Sequence, residues 1–186
     1  MDVGGGLGIT YTDETPPSPD VFVAALLERI DTRGHGEREI VLEPGRSLVG
    51  NAGVLLSEVL YLKPGPTKNF CIVDAAMNDL VRPAMYQAWM NIVPCMARTD
   101  VAAATWDVVG PVCESGDWIG RDRELAVKPG DVVAVLSAGA YGMTMASNYN
   151  TRPRAAEVMV DGGHAFVIRD REDARALFAG ERLIPR

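Results

Sequence analysis

The sequence has few of the residues that build disulfide frameworks and metal sites. Its three cysteines are Cys71, Cys95 and Cys113, and its two histidines are His35 and His164. An odd, sparse set of cysteines without CxxC spacing predicts neither a disulfide framework nor a zinc site. Two histidines are too few for a histidine-rich metal site. We therefore expect no metal ion, and a reducing, cytoplasmic location.

Long apolar runs and basic clusters are also missing. No apolar run approaches the roughly 20 residues of a membrane span, and no basic region followed by an apolar stretch marks a signal peptide at the N-terminus. The net charge of -7 and the pI of about 4.8 argue against nucleic acid or an anionic membrane as partner. The hydrophobic content of 47% is ordinary for a globular protein that buries a core.

The chain divides into two parts with different patterns of predicted secondary structure, and glycine and proline separate the elements. In the first part, the turn Gly4–Gly8 precedes a helix predicted over residues 16–30 and a short apolar strand at Glu39–Leu42. This order is half of an α/β repeat. After residue 50 the pattern predicts a mostly β region with a short helix at Leu80–Met90 and a last helix at Asp170–Ala179. The predicted strands are Val54–Leu62, Phe70–Asp74, Val101–Val109, Val132–Ser137 and Glu157–Asp161.

Two turns in the first part are candidate sites. In Gly4–Gly8, Ile9 occupies the place of the third glycine of GxGxxG, so a dinucleotide site is poorly supported. The turn is either a tight turn or a phosphate cradle, in which backbone N–H groups and the end of a following helix hold an anion. Glu43–Arg46 is either a surface turn or a site where the arginine grips a phosphate or carboxylate and the glutamate holds a proton on a ring nitrogen.

A third candidate follows Gly110 and Pro111. A lone cysteine is usually a small buried hydrophobe. Cys113, however, is flanked by the polar, turn-forming residues Glu114–Asp117, which favour exposure. Exposure and nearby charge are what a reactive thiol needs. The loops around Tyr141 and the segment Asp74–Pro83 are uninformative by themselves.

Together the motifs carry a resemblance that none of them carries alone. The order GGGLGI, EPGR, VDAAMNDLVRPAMY, GPVCESGD and GAYGMTMASNYNTRP is similar to the later part of the diaminopimelate decarboxylases, a branch of the fold-type III pyridoxal-phosphate (PLP) decarboxylases. The resemblance runs from Val3 to about Val160. GGG and EPGR also occur in ornithine and arginine decarboxylases, whereas MNDLVRPAMY, CESGD and SNYNTRP point to the diaminopimelate branch.

The resemblance implies an α/β plus β fold. Residues 1–50 would be the last units of a (β/α)8 PLP-binding barrel, and residues 51–186 a C-terminal, mostly-β domain, so the chain would begin partway through the barrel. The intact enzyme would be a carboxy-lyase of lysine biosynthesis that converts meso-diaminopimelate to L-lysine and CO₂. It would act as a homodimer with shared active sites.

The resemblance also implies a role for each matching residue. Cys113 would be the catalytic proton donor and, with Glu114, would enter the partner subunit's site. Glu43 would face the pyridine nitrogen of PLP, and Arg46 would bind its phosphate. The residues implied in cofactor binding are Gly4, Gly5, Gly6, Glu43, Pro44, Gly45, Arg46 and Tyr141. Those implied in substrate binding are Arg46, Arg82, Tyr86, Glu114 and Tyr141.

One departure from the family concerns lysine. The family bonds its cofactor through a Schiff-base lysine, and none of Lys63, Lys68 and Lys128 lies in a matching motif. We therefore expect this chain alone to be inactive. Two alternatives remain: another basic amino-acid decarboxylase of this fold, acting on arginine, ornithine or carboxynorspermidine, or a non-catalytic relative that only binds a partner protein. Glu114 in place of aspartate weighs against the ornithine type.

Overall fold

The computed structural model describes residues 1–185. Its helices are α1 (Pro19–Thr32), α2 (Arg46–Val49) and α3 (Arg82–Tyr86). Its strands are β1 (Leu55–Lys63), β2 (Phe70–Val73), β3 (Ile92–Pro94), β4 (Ala104–Val109), β5 (Trp118–Leu125), β6 (Val132–Val135), β7 (Glu157–Asp161) and β8 (His164–Arg169). Short 3-10 turns lie at Gly50–Ala52, Met143–Met145, Tyr149–Thr151 and Ala174–Phe178.

Six of these strands form one mixed, nearly closed sheet in the order β3-β6-β1-β2-β4-β5. Strands β2 and β4 run parallel, and the other neighbours run antiparallel. The two edge strands approach each other, because a Cβ added at Gly120 of β5 would lie 2.8 Å from Ile92 Cδ1 of β3. Arg123 of β5 also donates a hydrogen bond to the Met90 carbonyl at 3.2 Å. The separate β7–β8 pair is an antiparallel ribbon.

Side chains alternate between the two faces of each strand, so one face of the sheet carries the buried side chains. These side chains form the core inside the curved sheet. On β1, Ser57 and Val59 are buried while Leu56 and Leu60 are exposed. Apolar side chains from the other strands meet Val59, and Leu80 joins them from the segment before α3. The mostly-β character expected after residue 50 is thus confirmed.

The first part of the chain contains a parallel connection. The backbone of Met1–Gly4 pairs with that of Val41–Glu43 through three hydrogen bonds of 2.9–3.1 Å, and α1 lies between them in the chain. The strand expected at Glu39–Leu42 is reduced to a single parallel bridge between Asp2 and Val41. The assignment of residues 1–50 to a barrel stays a prediction.

Other elements differ from expectation for local reasons. The expected helix at Leu80–Met90 shrinks to α3, since Gln87 adopts the left-handed φ of +52° and ends it. At Asp170–Ala179 only a 3-10 turn forms, after the Asp173 carboxylate caps the amide of Arg175. Strands β3, β5 and β8 were not predicted: β3 has only three residues, and the charged residues of β5 hide the alternation that marks a strand.

Candidate active site

The glycine turn lies directly against the Glu43–Arg46 turn. The Glu43 amide donates to the Gly4 carbonyl at 2.9 Å. A Cβ added at Gly5 would collide with the carbonyl oxygen of Glu43, so only glycine allows this approach. Gly4 and Gly6 have left-handed φ values of +70° and +97°, and open space lies beside both. This geometry fits a cradle for an anion built from backbone groups.

The helix predicted over residues 16–30 is present as α1, which begins at Pro19. The segment Thr10–Ser18 therefore separates the turn from the helix N-terminus. Glu14 folds this segment on itself by accepting hydrogen bonds from the amides of Tyr11 and Thr12. Any phosphate held by the turn would thus rely on backbone N–H groups and on Arg46.

Tyr141 lies close to two arginines from different parts of the chain. The guanidinium carbon of Arg46 is 5.7 Å from the centre of the Tyr141 ring, and that of Arg82 is 5.3 Å from it. Both distances suit a cation–π contact. The tyrosine itself adopts a left-handed φ of +60°. Gly4–Gly6, Glu43, Arg46, Tyr141 and Arg82 therefore form a continuous set, which we call the arginine–tyrosine cluster.

Arg82 is the buried member of this cluster, with 8% of its surface exposed. Within residues 1–185, its Nε atom is buried and has no hydrogen-bond partner. A buried donor without an acceptor is costly, and Arg123 Nε is a second atom in the same situation within these residues. Tyr86, one helical turn further, is exposed. The substrate-binding roles expected for Arg82 and Tyr86, which both lie on α3, stay predictions.

Cys113 and Glu114 belong to a second group on another loop. Cys113 is exposed, as its polar neighbours indicate. The Glu114 carboxylate accepts hydrogen bonds from the Gly116 amide at 3.0 Å and from the Tyr149 hydroxyl at 3.3 Å. Across the described residues, no hydrogen bond or ion pair joins Cys113 or Glu114 to the arginine–tyrosine cluster. The sequence-predicted residues thus fall into two groups.

A polar network that sequence reasoning missed connects the loops of both groups. Arg152 donates to the Asn78 side chain at 2.9 Å and to the Asp74 carbonyl at 2.6 Å. The amide of Ser147 donates to the Asn78 carbonyl at 2.9 Å. The loop that leads to Arg82 is therefore fixed to the loop that carries Tyr149. The available signal was the pair of Asn- and Arg-containing stretches MND and SNYNTR, which lie outside the strands.

Residues 1–185 contain neither a cluster of metal ligands nor a helix fit to span a membrane. No group of three or more His, Cys, Asp and Glu side chains is arranged to hold a metal ion. No helix combines the length and the apolar character that crossing a membrane requires.

Comparison with known proteins shows the family of the chain. Residues 10–139 match the family described as "Pyridoxal-dependent decarboxylase, C-terminal sheet domain". A Vibrio cholerae protein named diaminopimelate decarboxylase is 54% identical over 185 residues, covering 100% of this chain and 44% of that protein. The structure of diaminopimelate decarboxylase from M. jannaschi has a TM-score of 0.90 and 40% identity, covering 99% of this chain and 43% of the other.

A third relative was solved with a bound ligand. The diaminopimelate decarboxylase of Helicobacter pylori, complexed with L-lysine, has a TM-score of 0.86 and 40% identity, covering 96% of this chain and 43% of the other. In each of these three comparisons the chain spans less than half of the relative, with shares of 43–44%.

Proposed function

The chain belongs to the pyridoxal-dependent decarboxylases, and we propose that it is the C-terminal part of an enzyme that converts meso-diaminopimelate to L-lysine and CO₂. The observation that carries this proposal is the arginine–tyrosine cluster. It unites an anion cradle, a carboxylate and two arginines around Tyr141. A substrate with a carboxylate at each end and a cofactor with a phosphate both need such cationic groups.

The residues of the cluster fit PLP. Gly4 and Gly6 have open space beside them, Gly5 packs against Glu43, and Arg46 follows on the same turn, so glycine N–H groups and a guanidinium would be available to a phosphate. Glu43 would hold a proton on the ring nitrogen. The cofactor, when bound, supplies the electron sink for loss of CO₂. In this proposal, Pro44 and Gly45 shape the turn, and Tyr141 contacts both cofactor and substrate.

Substrate binding and proton transfer fall to the remaining residues. Arg82, with its unpartnered Nε, and Arg46 would bind the distal carboxylate, aided by Tyr86. Glu114 would bind the distal ammonium. The Sγ atom of Cys113 would deliver a proton to the carbon that has lost CO₂, which is general acid catalysis by an exposed thiol.

A homodimer with shared sites is part of the proposal. The support is the separation of the site residues into two groups within one protomer. If Cys113 and Glu114 complete the partner's site, both groups gain a role that neither has alone. The exposed position of Tyr86 fits the same arrangement.

The lysines support assigning the covalent attachment of the cofactor to a part of the protein outside these residues. Lys68 forms an ion pair with Asp107, and Lys128 forms one with Asp100, each at 2.7 Å. Lys63 ends β1. We therefore infer that these 186 residues do not turn over substrate without the remainder of the enzyme. Three free cysteines, two of them exposed, support a reducing cytoplasm.

The test is decarboxylation by the full-length protein that contains this chain. Purified protein with PLP is given meso-diaminopimelate, arginine, ornithine or carboxynorspermidine in parallel, and CO₂ and amine products are measured. We expect L-lysine from meso-diaminopimelate at a rate far above every other turnover. Preferential turnover of another amine would identify the alternative decarboxylases. No turnover of any substrate by folded, PLP-loaded protein would favour the non-catalytic relative.

A further inference from the structure

Asp117 is a buried carboxylate at the end of the loop that carries Cys113 and Glu114. Only 4% of its surface is exposed. Its Oδ1 accepts a hydrogen bond from the Met77 amide at 2.7 Å, and its Oδ2 accepts one from the Val112 amide at 2.8 Å. Burying a carboxylate is costly unless its oxygens are satisfied, and two backbone donors satisfy one oxygen each.

The surroundings leave this position little freedom. A Cβ added at Gly110 would come within 2.7 Å of Asp117 Oδ1 and of the Ala75 carbonyl oxygen, so only glycine admits the carboxylate there. The backbone closes the loop as well, since the Gly110 amide donates to the Asp117 carbonyl at 3.1 Å and the Asp117 amide to the Glu114 carbonyl at 3.0 Å. An asparagine could accept from one of the two amides only, because its NH₂ group is itself a donor.

Asp117 therefore joins two segments that the proposed reaction uses. On one side it holds Val112, the residue before Cys113. On the other it holds Met77, in the turn that leads through Leu80 into α3 and Arg82. We propose that Asp117 is a positioning residue that fixes Cys113 and Glu114 relative to Arg82. This inference rests on the proposed function, because Cys113 and Glu114 have their roles only there.

The first experiment tests the connection without any turnover. In the full-length protein, Asp117→Asn should speed hydrogen exchange of the Val112 and Met77 amides roughly tenfold. Each amide either loses its charge-assisted hydrogen bond or keeps one of poorer geometry. The matched control is Asp107→Asn, which alters another carboxylate, 8% exposed, that also accepts a backbone amide, that of Asp122. Asp107→Asn should leave both amides protected. Unchanged exchange in Asp117→Asn would overturn the inference whatever the enzyme's substrate.

Two cysteines report whether each variant is folded. Cys71 is fully buried, and burial raises the pKa of its thiol to about 11, so it reacts with iodoacetamide only after unfolding. Cys95 is exposed and serves as the reference for reactivity. A variant in which Cys71 stays protected is folded. If Asp117→Asn exposes Cys71, Asp117→Ser, which keeps one acceptor, replaces it in both experiments.

The second experiment separates positioning from general stabilisation. Asp117→Asn should lower kcat for meso-diaminopimelate roughly tenfold, and in a Cys113→Ala background the same change should cost little more, because residues that act together are not additive. Multiplicative losses in the double variant would contradict a role through Cys113. If the unaltered enzyme shows no turnover, the proposed function fails, while the exchange experiment still decides whether Asp117 fixes the loop.

Discussion

The Tyr149 hydroxyl donates a hydrogen bond to the Glu114 carboxylate, with 3.3 Å between the two oxygens. The other carboxylate oxygen accepts the Gly116 amide at 3.0 Å. Glu114 is therefore held by its own loop and by the loop that follows Tyr141. A carboxylate held in this way loses less rotational freedom when it binds an ammonium.

This contact predicts a measurable change in the titration of Tyr149. The negative charge of Glu114, together with desolvation and the hydrogen bond, raises the pKa of Tyr149 above its ordinary value. Glu114→Gln removes the charge, so the pKa of Tyr149 should fall towards that value. Ultraviolet difference titration with and without Tyr149→Phe isolates its signal. Glu124→Gln, the same change on β5, should leave the titration unaltered, and an equal shift in both variants would refute the contact.

Glu114 should determine substrate choice in the full-length enzyme. A charge-assisted hydrogen bond contributes about 1.5–3 kcal/mol, so Glu114→Gln should lower kcat/KM for meso-diaminopimelate roughly tenfold to hundredfold. An amino acid without the distal ammonium should lose far less. Equal losses for both substrates would show that Glu114 does not bind the ammonium.

The same variant tests whether active sites are shared. Glu114→Gln subunits mixed with subunits lacking the Schiff-base lysine should recover activity, because one of the two sites in a mixed dimer would combine an intact lysine with an intact Glu114. Formation of mixed dimers is checked by native mass spectrometry. Mixed dimers that form and stay inactive would place Glu114 outside the partner's site.

Cys113 should limit turnover if it is the proton donor. Cys113→Ala in the full-length enzyme should lower kcat by roughly 10²–10⁴-fold, the usual scale for loss of a general acid. Loss of substrate and incorporation of solvent deuterium into L-lysine are measured separately. Cys95→Ala is the matched control, since Cys95 is an exposed free thiol that directly follows β3. Equal turnover in both variants would leave Cys113 without a catalytic role.

Gly139 should be required for the packing of the loop that presents Tyr141. A Cβ at Gly139 would collide with the Val49 carbonyl oxygen and lie 2.9 Å from the Gly53 amide nitrogen. Both neighbours are backbone atoms and cannot rotate away, so Gly139→Ala should lower the free energy of unfolding by roughly 1–3 kcal/mol. Urea unfolding measures this. Gly163→Ala, where the added Cβ meets nothing within 4 Å, should be nearly neutral.

The sequence predicts elements well where alternation or spacing is strong. Strand β1 begins at Leu55, one residue after its predicted start at Val54. Its exposed and buried side chains alternate, and Ser57 and Val59 are among the buried ones. Strand β5 escapes detection, since Arg121, Asp122 and Arg123 interrupt it. Arg123 is nonetheless buried, where its guanidinium contacts the Trp89 ring and two backbone carbonyls. Contacts that compensate for the burial of a charge depend on the tertiary fold, so they leave no pattern in the local sequence.

The same contrast between local sequence pattern and tertiary contact applies to the candidate site. Motifs identify Arg46, Arg82 and Tyr141 individually, but their meeting around one ring depends on loops that sequence spacing does not fix. Asp117 lies in the CESGD motif, but the sequence assigns it no role. Its partners Met77 and Val112 offer only backbone amides, which every residue except proline has.

Glu172 joins the Tyr149 loop to the C-terminal segment. Its carboxylate accepts hydrogen bonds from the Asn148 side chain at 2.6 Å and from the Arg154 amide and Nε, both at 2.8 Å. The Arg154 amide, followed by Asn148 and the Arg154 side chain, lowers the pKa of Glu172 from 4.5 to about 2. The ionised form is thus the one that the folded protein favours.

The sign of the pH dependence follows from this lowered pKa. Because the folded-state pKa lies below the unfolded one, the stability that Glu172 contributes is fully present above pH 4.5, declines as the pH falls, and is lost below about pH 2. Glu172→Gln should therefore lower the urea midpoint at neutral pH, and the gap from the unaltered protein should close between those two values. Glu181→Gln is the control, since within residues 1–185 the Glu181 side chain makes no hydrogen bond or ion pair. A gap that stays constant with pH would mean that packing, and not the charge of Glu172, stabilises the loop.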